Sequence, residues 1–247
     1  MVKKPVQNTG AKVWFVGAGP GDPELITVKG HRLVQEADVL IYAGSLVNPV
    51  LVAESGAAKK LDSWGMHLDE MVDTMVQHAA AGEKVVRLHS GDPSLYGAIV
   101  EQIEKLEERG IEVEVVPGVS SLFAAAAALK TQLTLRGVSE SVIVTRPAGK
   151  TLKEDQIAEF SRLNSTMVVF LGTEKLGEIT AKLACPPDTP AAVVYHASWP
   201  DQKIVRGTVS DIAAKAKDAG IEHTALLLVG GVVGDVKKGH VKSYLYS

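Results

Sequence analysis

Three glycine-bearing turns carry the residues of this chain best suited to chemistry. They are Gly17-Ala18-Gly19-Pro20-Gly21-Asp22-Pro23, His89-Ser90-Gly91-Asp92-Pro93-Ser94-Leu95-Tyr96-Gly97 and Pro117-Gly118-Val119-Ser120-Ser121. Each follows an apolar run that reads as a buried strand. Glycine at such a strand end admits positive φ and lets a ligand lie against the main chain. A dinucleotide fingerprint would enter a helix directly, so that the helix N-terminus meets a pyrophosphate. Here Pro20 and Pro23 bracket the first turn and delay the helix to about Thr27, which points to an extended loop over a cleft. Asp92 has two compatible roles open to it. It can accept hydrogen bonds from ribose hydroxyls or an ammonium group, or cap a helix beginning near Pro93. Ser120 reads as an N-cap. Together the three turns outline a pocket for a small cofactor.

Catalytic groups are otherwise scarce. The seven histidines form neither H-x-x-x-H nor H-E-x-x-H, so no metal is expected. No G-x-S-x-G elbow and no G-x-x-x-x-G-K-[ST] loop occurs. A pocket without a nucleophile favours chemistry carried by a reactive cofactor, the protein supplying position and electrostatics. A sulfonium methyl donor fits that description, since it needs mainly alignment with its acceptor. If a base is required, His67 is the candidate, because histidine is the side chain suited to exchanging a proton near neutral pH; the alternative is a loop histidine without a catalytic part. The single cysteine, Cys185, precedes Pro186-Pro187 and reads as structural. It excludes an internal disulfide and fits a reducing compartment.

The elements that must position these turns alternate along 247 residues, 46% of them hydrophobic and 22% charged. The net charge of −3 gives no general attraction to nucleic acid or anionic lipid. No apolar run approaches the roughly 18 residues of a membrane span. Met1 to Pro5 is basic without an apolar stretch behind it, so a signal peptide is not expected and a cytoplasmic location is. Strands are predicted at about 13–16, 39–43, 85–89 and 113–116, with helices at about 27–37, 68–81 and 95–109. Single helices between strands imply a doubly wound, mostly parallel sheet. Further strands are predicted at about 142–146, 167–171, 192–196, 203–208 and 225–229, and helices near 120–129, 153–162, 173–184 and 209–219. The short loop between 192–196 and 203–208 predicts an antiparallel hairpin and hence a mixed second sheet. The fold class is therefore two α/β domains, residues 12–130 and 142–247, joined by a linker at 131–141, with the cofactor cleft between them.

These turns resemble those of the tetrapyrrole methylases, S-adenosylmethionine-dependent enzymes with two α/β domains. The similarity extends from about residue 12 to residue 234 and includes Leu171, Ala197 and Thr224 to Gly230. Trp64-Gly65-Met66-His67-Leu68-Asp69-Glu70-Met71, Gly91 to Gly97 and Tyr195-His196-Ala197-Ser198-Trp199-Pro200 resemble the branch that methylates C-11 of precorrin-4 or cobalt-precorrin-4 in cobalamin synthesis. The resemblance implies that Pro20, Ser90, Gly91, Asp92, Leu95, Ser120 and Ser121 bind the donor, with Leu171, Ala197 and Ala225 around its adenine. It also implies a homodimer and a small tetrapyrrole substrate rich in carboxylates. Arg146, Lys150, Lys203 and Arg206 are the candidate partners for those carboxylates. Uroporphyrinogen methylases carry an acidic residue where this chain has Ala43, and an arginine-rich loop where it has Trp64-Gly65-Met66-His67, which weighs against uroporphyrinogen. The rival readings are another acceptor within the same superfamily (a different precorrin carbon, a diphthamide precursor, an rRNA ribose), a nicotinamide-dependent dehydrogenase, and a non-enzymatic cofactor-binding module.

Overall fold

The structure, a computed structural model, describes residues 10–234 and Val241; the Met1–Pro5 segment lies outside them. Contacts divide the chain after Ser121 into two units. The first runs β1 (Lys12–Gly17), α1 (Val28–Gln35), β2 (Val39–Tyr42), α2 (Pro49–Glu54), β3 (Lys59–Asp62), α3 (Leu68–Ala80), β4 (Val85–His89), α4 (Val100–Glu108) and β5 (Glu112–Val116). Its five strands are all parallel, in the order β3-β2-β4-β1-β5. Period-two alternation divides the strand residues between two cores. Val13, Phe15, Ile41 and Val85 pack with Met71, Val72 and Met75 of α3 and Leu106 of α4. Val16, Leu40, Val86 and Leu88 pack with Leu33 and Val34 of α1 and Leu51 of α2. Both faces of the sheet are thus covered, as parallel sheets require.

The second unit contains α5 (Ser121–Leu129), β6 (Val142–Thr145), α6 (Ile157–Phe160), β7 (Thr166–Val169), α7 (Leu176–Lys182), β8 (Pro190–Tyr195), β9 (Lys203–Thr208), α8 (Ile212–Asp218) and β10 (Ala225–Val229). The order is β6-β7-β10-β8-β9; β6 and β7 are parallel, and every other pair is antiparallel. Ile157, Leu176, Ile179, Ile212 and Ala216 of α6, α7 and α8 cover Met167, Val169, Val193, Leu227 and Val229.

Two expectations are corrected. The helix predicted from residue 95 begins at Val100, because Tyr96 and Ala98 hold φ at 57° and 48°. Gly97 sits so tightly between them that a Cβ there would lie 2.2 Å from the Pro93 carbonyl oxygen. The segment 131–141 is not a free linker but part of the second unit. Its hydroxyls and carbonyls tie it down: Thr131 donates to the Val232 carbonyl, Thr166 Oγ1 donates to the Leu133 carbonyl at 2.7 Å, and Ser139 Oγ accepts from the Thr166 amide at 2.8 Å.

β4 is buried along its whole length although it contains Arg87 and His89, 6% and 7% exposed. The Arg87 guanidinium makes only long bonds, 3.4 and 3.3 Å, to the Ile41 and Leu88 carbonyls. Burial lowers its pKa to about 10. The His89 ring stacks on Phe15 at 5.7 Å. Burial, and secondarily the Arg87 charge, lower its pKa to about 3, so it is neutral at physiological pH. Below pH 6.5 the unfolded chain takes up a proton that folded His89 refuses, so stability falls as pH falls through that window. The slope from this group is about 1.4 kcal/mol per pH unit, or about 2 kcal/mol between pH 6.5 and 5. Urea unfolding of the wild type and of His89→Phe across this range is expected to differ by that component; parallel pH profiles would contradict the assignment.

Candidate functional site: a three-glycine cradle and a second strained edge

The three turns of the first unit meet at the carboxyl ends of adjacent strands β4, β1 and β5, the edge at which open parallel sheets bind ligands. Their main chains touch. A Cβ on Gly17 would stand 2.6 Å from the Gly118 Cα and 2.7 Å from the Gly91 carbonyl oxygen, and a Cβ on Gly118 would stand 2.2 Å from that same oxygen. No side chain fits at either position. Gly19 and Gly91, with φ of 78° and 62°, exchange backbone hydrogen bonds, N–H to carbonyl, of 3.3 and 2.8 Å. Pro20 is buried directly beyond this bridge.

Asp92 fastens the second turn to the third. Its Oδ2 accepts from the Gly118 amide at 2.8 Å, while Oδ1 accepts from the Ser94 amide at 2.8 Å and from the Ser94 hydroxyl. Burial raises its pKa, but the Ser94 hydroxyl and the Gly118 and Ser94 amides outweigh it and leave the group below the ordinary carboxylate range. It is therefore an anion with three acceptor positions filled and one left. The capping role is corrected: residues 93–96 form a turn, not a helix, and Asp92 closes an Asx-type turn. Ser90 and Leu95 flank it, half-buried. A Cβ on Gly91 would lie 3.7 Å from Ser120 Cα and 3.8 Å from Ser121 N, so both serines come to the same place. His67 is exposed at the N-terminus of α3, without a capping bond. It follows β3, two strands from β4, or about 10 Å across the sheet.

In the second unit, the ends of β6, β7 and β8 and the starts of β9 and β10 share one edge. Leu171, Ala197 and Ala225 gather there. Thr173, just past Leu171, accepts from the Ala225 amide and donates to the Ala225 carbonyl, both at 3.0 Å, and the His196 amide reaches the Thr224 carbonyl at 3.3 Å. Leu171, His196, Ser198 and Thr224 all hold positive φ, between 45° and 71°. Four strained non-glycine residues at one edge form a cluster of the kind that marks ligand sites, and nothing in residue spacing announced it. His196 stacks on Tyr195 at 3.8 Å, and its Nδ1 lies 3.0 Å from both oxygens of Asp201. That hydrogen bond holds Asp201 below the ordinary carboxylate range.

The candidate cations separate. Arg146 and Lys150 follow β6 and Lys203 begins β9, all at this edge. Arg146 bonds the Thr151 hydroxyl at 2.7 Å, and Lys203 lies over the Tyr195 ring at 5.9 Å. Arg206 does not belong with them. It pairs with Ala192 in mid-strand, and its guanidinium donates to the Val233 and Leu129 carbonyls at 2.7 and 2.9 Å, a structural tie. Among the described residues no group of three or more His, Cys, Asp or Glu side chains could hold a metal ion, and no helix is long and apolar enough to cross a membrane.

Known proteins share this architecture. A family model, Tetrapyrrole (Corrin/Porphyrin) Methylases, matches residues 12–213. A cobalt-precorrin-4 C(11)-methyltransferase of Methanocaldococcus jannaschii is 52% identical over 239 residues, covering 94% of this chain and 92% of that protein. The solved structure of a cobalamin biosynthetic enzyme, a cobalt precorrin-4 methyltransferase, matches with a TM-score of 0.88 and 41% identity over 95% of this chain and all of that one. A uroporphyrin-III C-methyl transferase of Thermus thermophilus, complexed with S-adenyl homocysteine, matches with a TM-score of 0.79 and 33% identity over 90% of this chain and 98% of its own.

The cradle makes a quantitative demand on Gly118. Gly118→Ala drives a methyl group into a main-chain carbonyl that cannot rotate away, and is expected to cost on the order of 3 kcal/mol in urea unfolding. Gly65→Ala, at φ 82° with no atom within 4 Å of the new Cβ, carries only local backbone strain and is expected to cost about 1 kcal/mol. Equal losses would show that the close approach is not what constrains Gly118.

Proposed function

The chain belongs to the tetrapyrrole (corrin/porphyrin) methylases and is a methyltransferase, and from that premise we propose that it moves a methyl group from S-adenosylmethionine to C-11 of precorrin-4 or cobalt-precorrin-4 in cobalamin synthesis. The observation that carries this reading is the backbone cradle of Gly17, Gly91 and Gly118 with ionised Asp92 at its rim. A surface of bare main chain suits a slender donor, and the remaining acceptor position of Asp92 suits a ribose hydroxyl or an ammonium group. When bound, the donor supplies an electrophilic methyl group on a sulfonium centre. The chain's own part is positional. Pro20, Ser90, Gly91, Asp92, Leu95, Ser120 and Ser121 bind the donor, and Leu171, Ala197 and Ala225 contact its adenine. Aligning two partners in this way supplies most of the acceleration available to a displacement.

The acceptor macrocycle presents acetate and propionate groups, and Arg146, Lys150 and Lys203 pair with them; that the three share one sheet edge supports this reading. His67 takes the proton that the ring gives up, through an imidazole exposed beyond β3. A cytoplasmic homodimer without nucleic-acid or membrane partners accompanies this reading, supported by the net charge of −3 and the single cysteine.

Mass spectrometry of products made from precorrin-4 with and without cobalt is expected to show one added methyl group at C-11 in at least one of the two forms; methylation at another carbon would refute the regiochemistry. Asp92→Ala is expected to weaken S-adenosylhomocysteine binding at least tenfold by calorimetry. His67→Ala is expected to slow single-turnover methyl transfer at least tenfold while leaving that affinity alone, and an unchanged rate would remove it from the reaction.

A further inference from the structure

The opposite edge of the second sheet, where β6, β7 and β8 begin and β10 ends, holds a cavity of about 310 Å³. Its floor includes Met167 and Val229, which pair across β7 and β10. Strands of this length put it about 15 Å from Leu171 and Ala225. The volume falls in the range of small-ligand sites. The chemistry of the lining is one-sided: no aspartate or glutamate contributes to it, and its single formal charge is the guanidinium of Arg162. Arg162 and Asn164, both exposed, and the half-buried Thr189 reach the cavity with side chains that have no hydrogen-bond or ion-pair partner among the described residues, so they are open to a guest from solvent. The hydroxyls of Ser139 and Ser161, by contrast, are engaged on the main chain. On the rim, Asn164 holds φ at 49°, in the left-handed region, and Gly230 at 139°, a conformation open to glycine.

A guanidinium, a carboxamide and a hydroxyl around one cavity, with no carboxylate to repel a guest, select an anion. We propose that this cavity is a second ligand site, remote from the donor edge, that takes a small anion bearing a carboxylate or a phosphate. Arg162 pairs with the anionic group, and Asn164 and Thr189 donate hydrogen bonds to it.

The chain contains its own reporter. Cys185, its single cysteine, is half-buried in the lining of this cavity. The test is the alkylation rate of Cys185 by iodoacetamide in the full-length protein, with inorganic phosphate, with citrate, and with sodium chloride at matched ionic strength. Phosphate or citrate is expected to slow alkylation at least threefold and saturably, chloride is not, and whichever anion protects identifies the class. Arg162→Gln is expected to abolish protection while S-adenosylhomocysteine binding stays unchanged, which also shows that the variant is folded. Absence of protection by both anions, or protection that survives Arg162→Gln, overturns the proposal. Should Cys185 resist alkylation even without added anion, the amide resonances of Asn164 and Gly230 read the same occupancy, and their insensitivity to both anions overturns it equally.

Discussion

The contact of three main chains at Gly17, Gly91 and Gly118 is the constraint on which the first unit turns. Adjacent parallel strands lie about 4.8 Å apart, and loops leaving three neighbouring strands would ordinarily diverge to make room for side chains. Here they converge instead, because no Cβ stands between them. The paired bonds of Gly19 and Gly91 and the Asp92 link to Gly118 then hold the convergence in place. A carboxylate does this better than a neutral acceptor, since bonds to an ionised group are roughly twice as strong. One aspartate thus serves structure with most of its valence and leaves the remainder for a ligand.

The second unit solves its positioning problem by other means. It has no glycine cradle at its candidate edge; it holds ordinary side chains in left-handed backbone conformations and ties them with hydroxyls, as Thr173 does to Ala225. Polar side chains also help to fasten the 131–141 segment, where Thr131 and Ser139, together with Thr166 of β7, add hydrogen bonds to the burial of Leu133. In β4, by contrast, the buried Arg87 makes no ion pair among the described residues, although the Asp62 charge partly offsets its burial. Such a charge is costly to bury, and it lies one turn of the pleat from His89, whose neutrality it helps to enforce.

Much of this was legible in the sequence. The apolar runs located nine of the ten strands among the described residues, and the short 198–202 loop foretold the hairpin and so the mixed second sheet. The strand that escaped, β3, reads Lys59-Lys60-Leu61-Asp62; as an edge strand it has almost no apolar side to show. The helix α2 left a trace in Asn48-Pro49, a cap followed by a first-turn proline, though its six residues are too few for periodicity. The glycine turns were visible as turns. Their mutual contact was not, because it depends on strand order, and neither was the Asp92 bond to a residue 26 positions away. Arg206 misled for a related reason: composition shows a charge, and only tertiary structure shows that main-chain carbonyls occupy it.

The left-handed residues have a practical bearing on engineering. Tyr96, Ala98, Leu171, His196, Ser198 and Thr224 each hold a conformation that glycine adopts without penalty, and all six flank the two candidate edges. Relaxing such a position can raise a melting temperature, since strained non-glycine backbone is a reservoir of about 1–3 kcal/mol per residue. A screen for heat-resistant variants would accordingly be drawn to these places first, and would loosen there the rigidity that turnover needs. Thermal hardening of this scaffold is better sought in solvent-facing helix positions far from either rim.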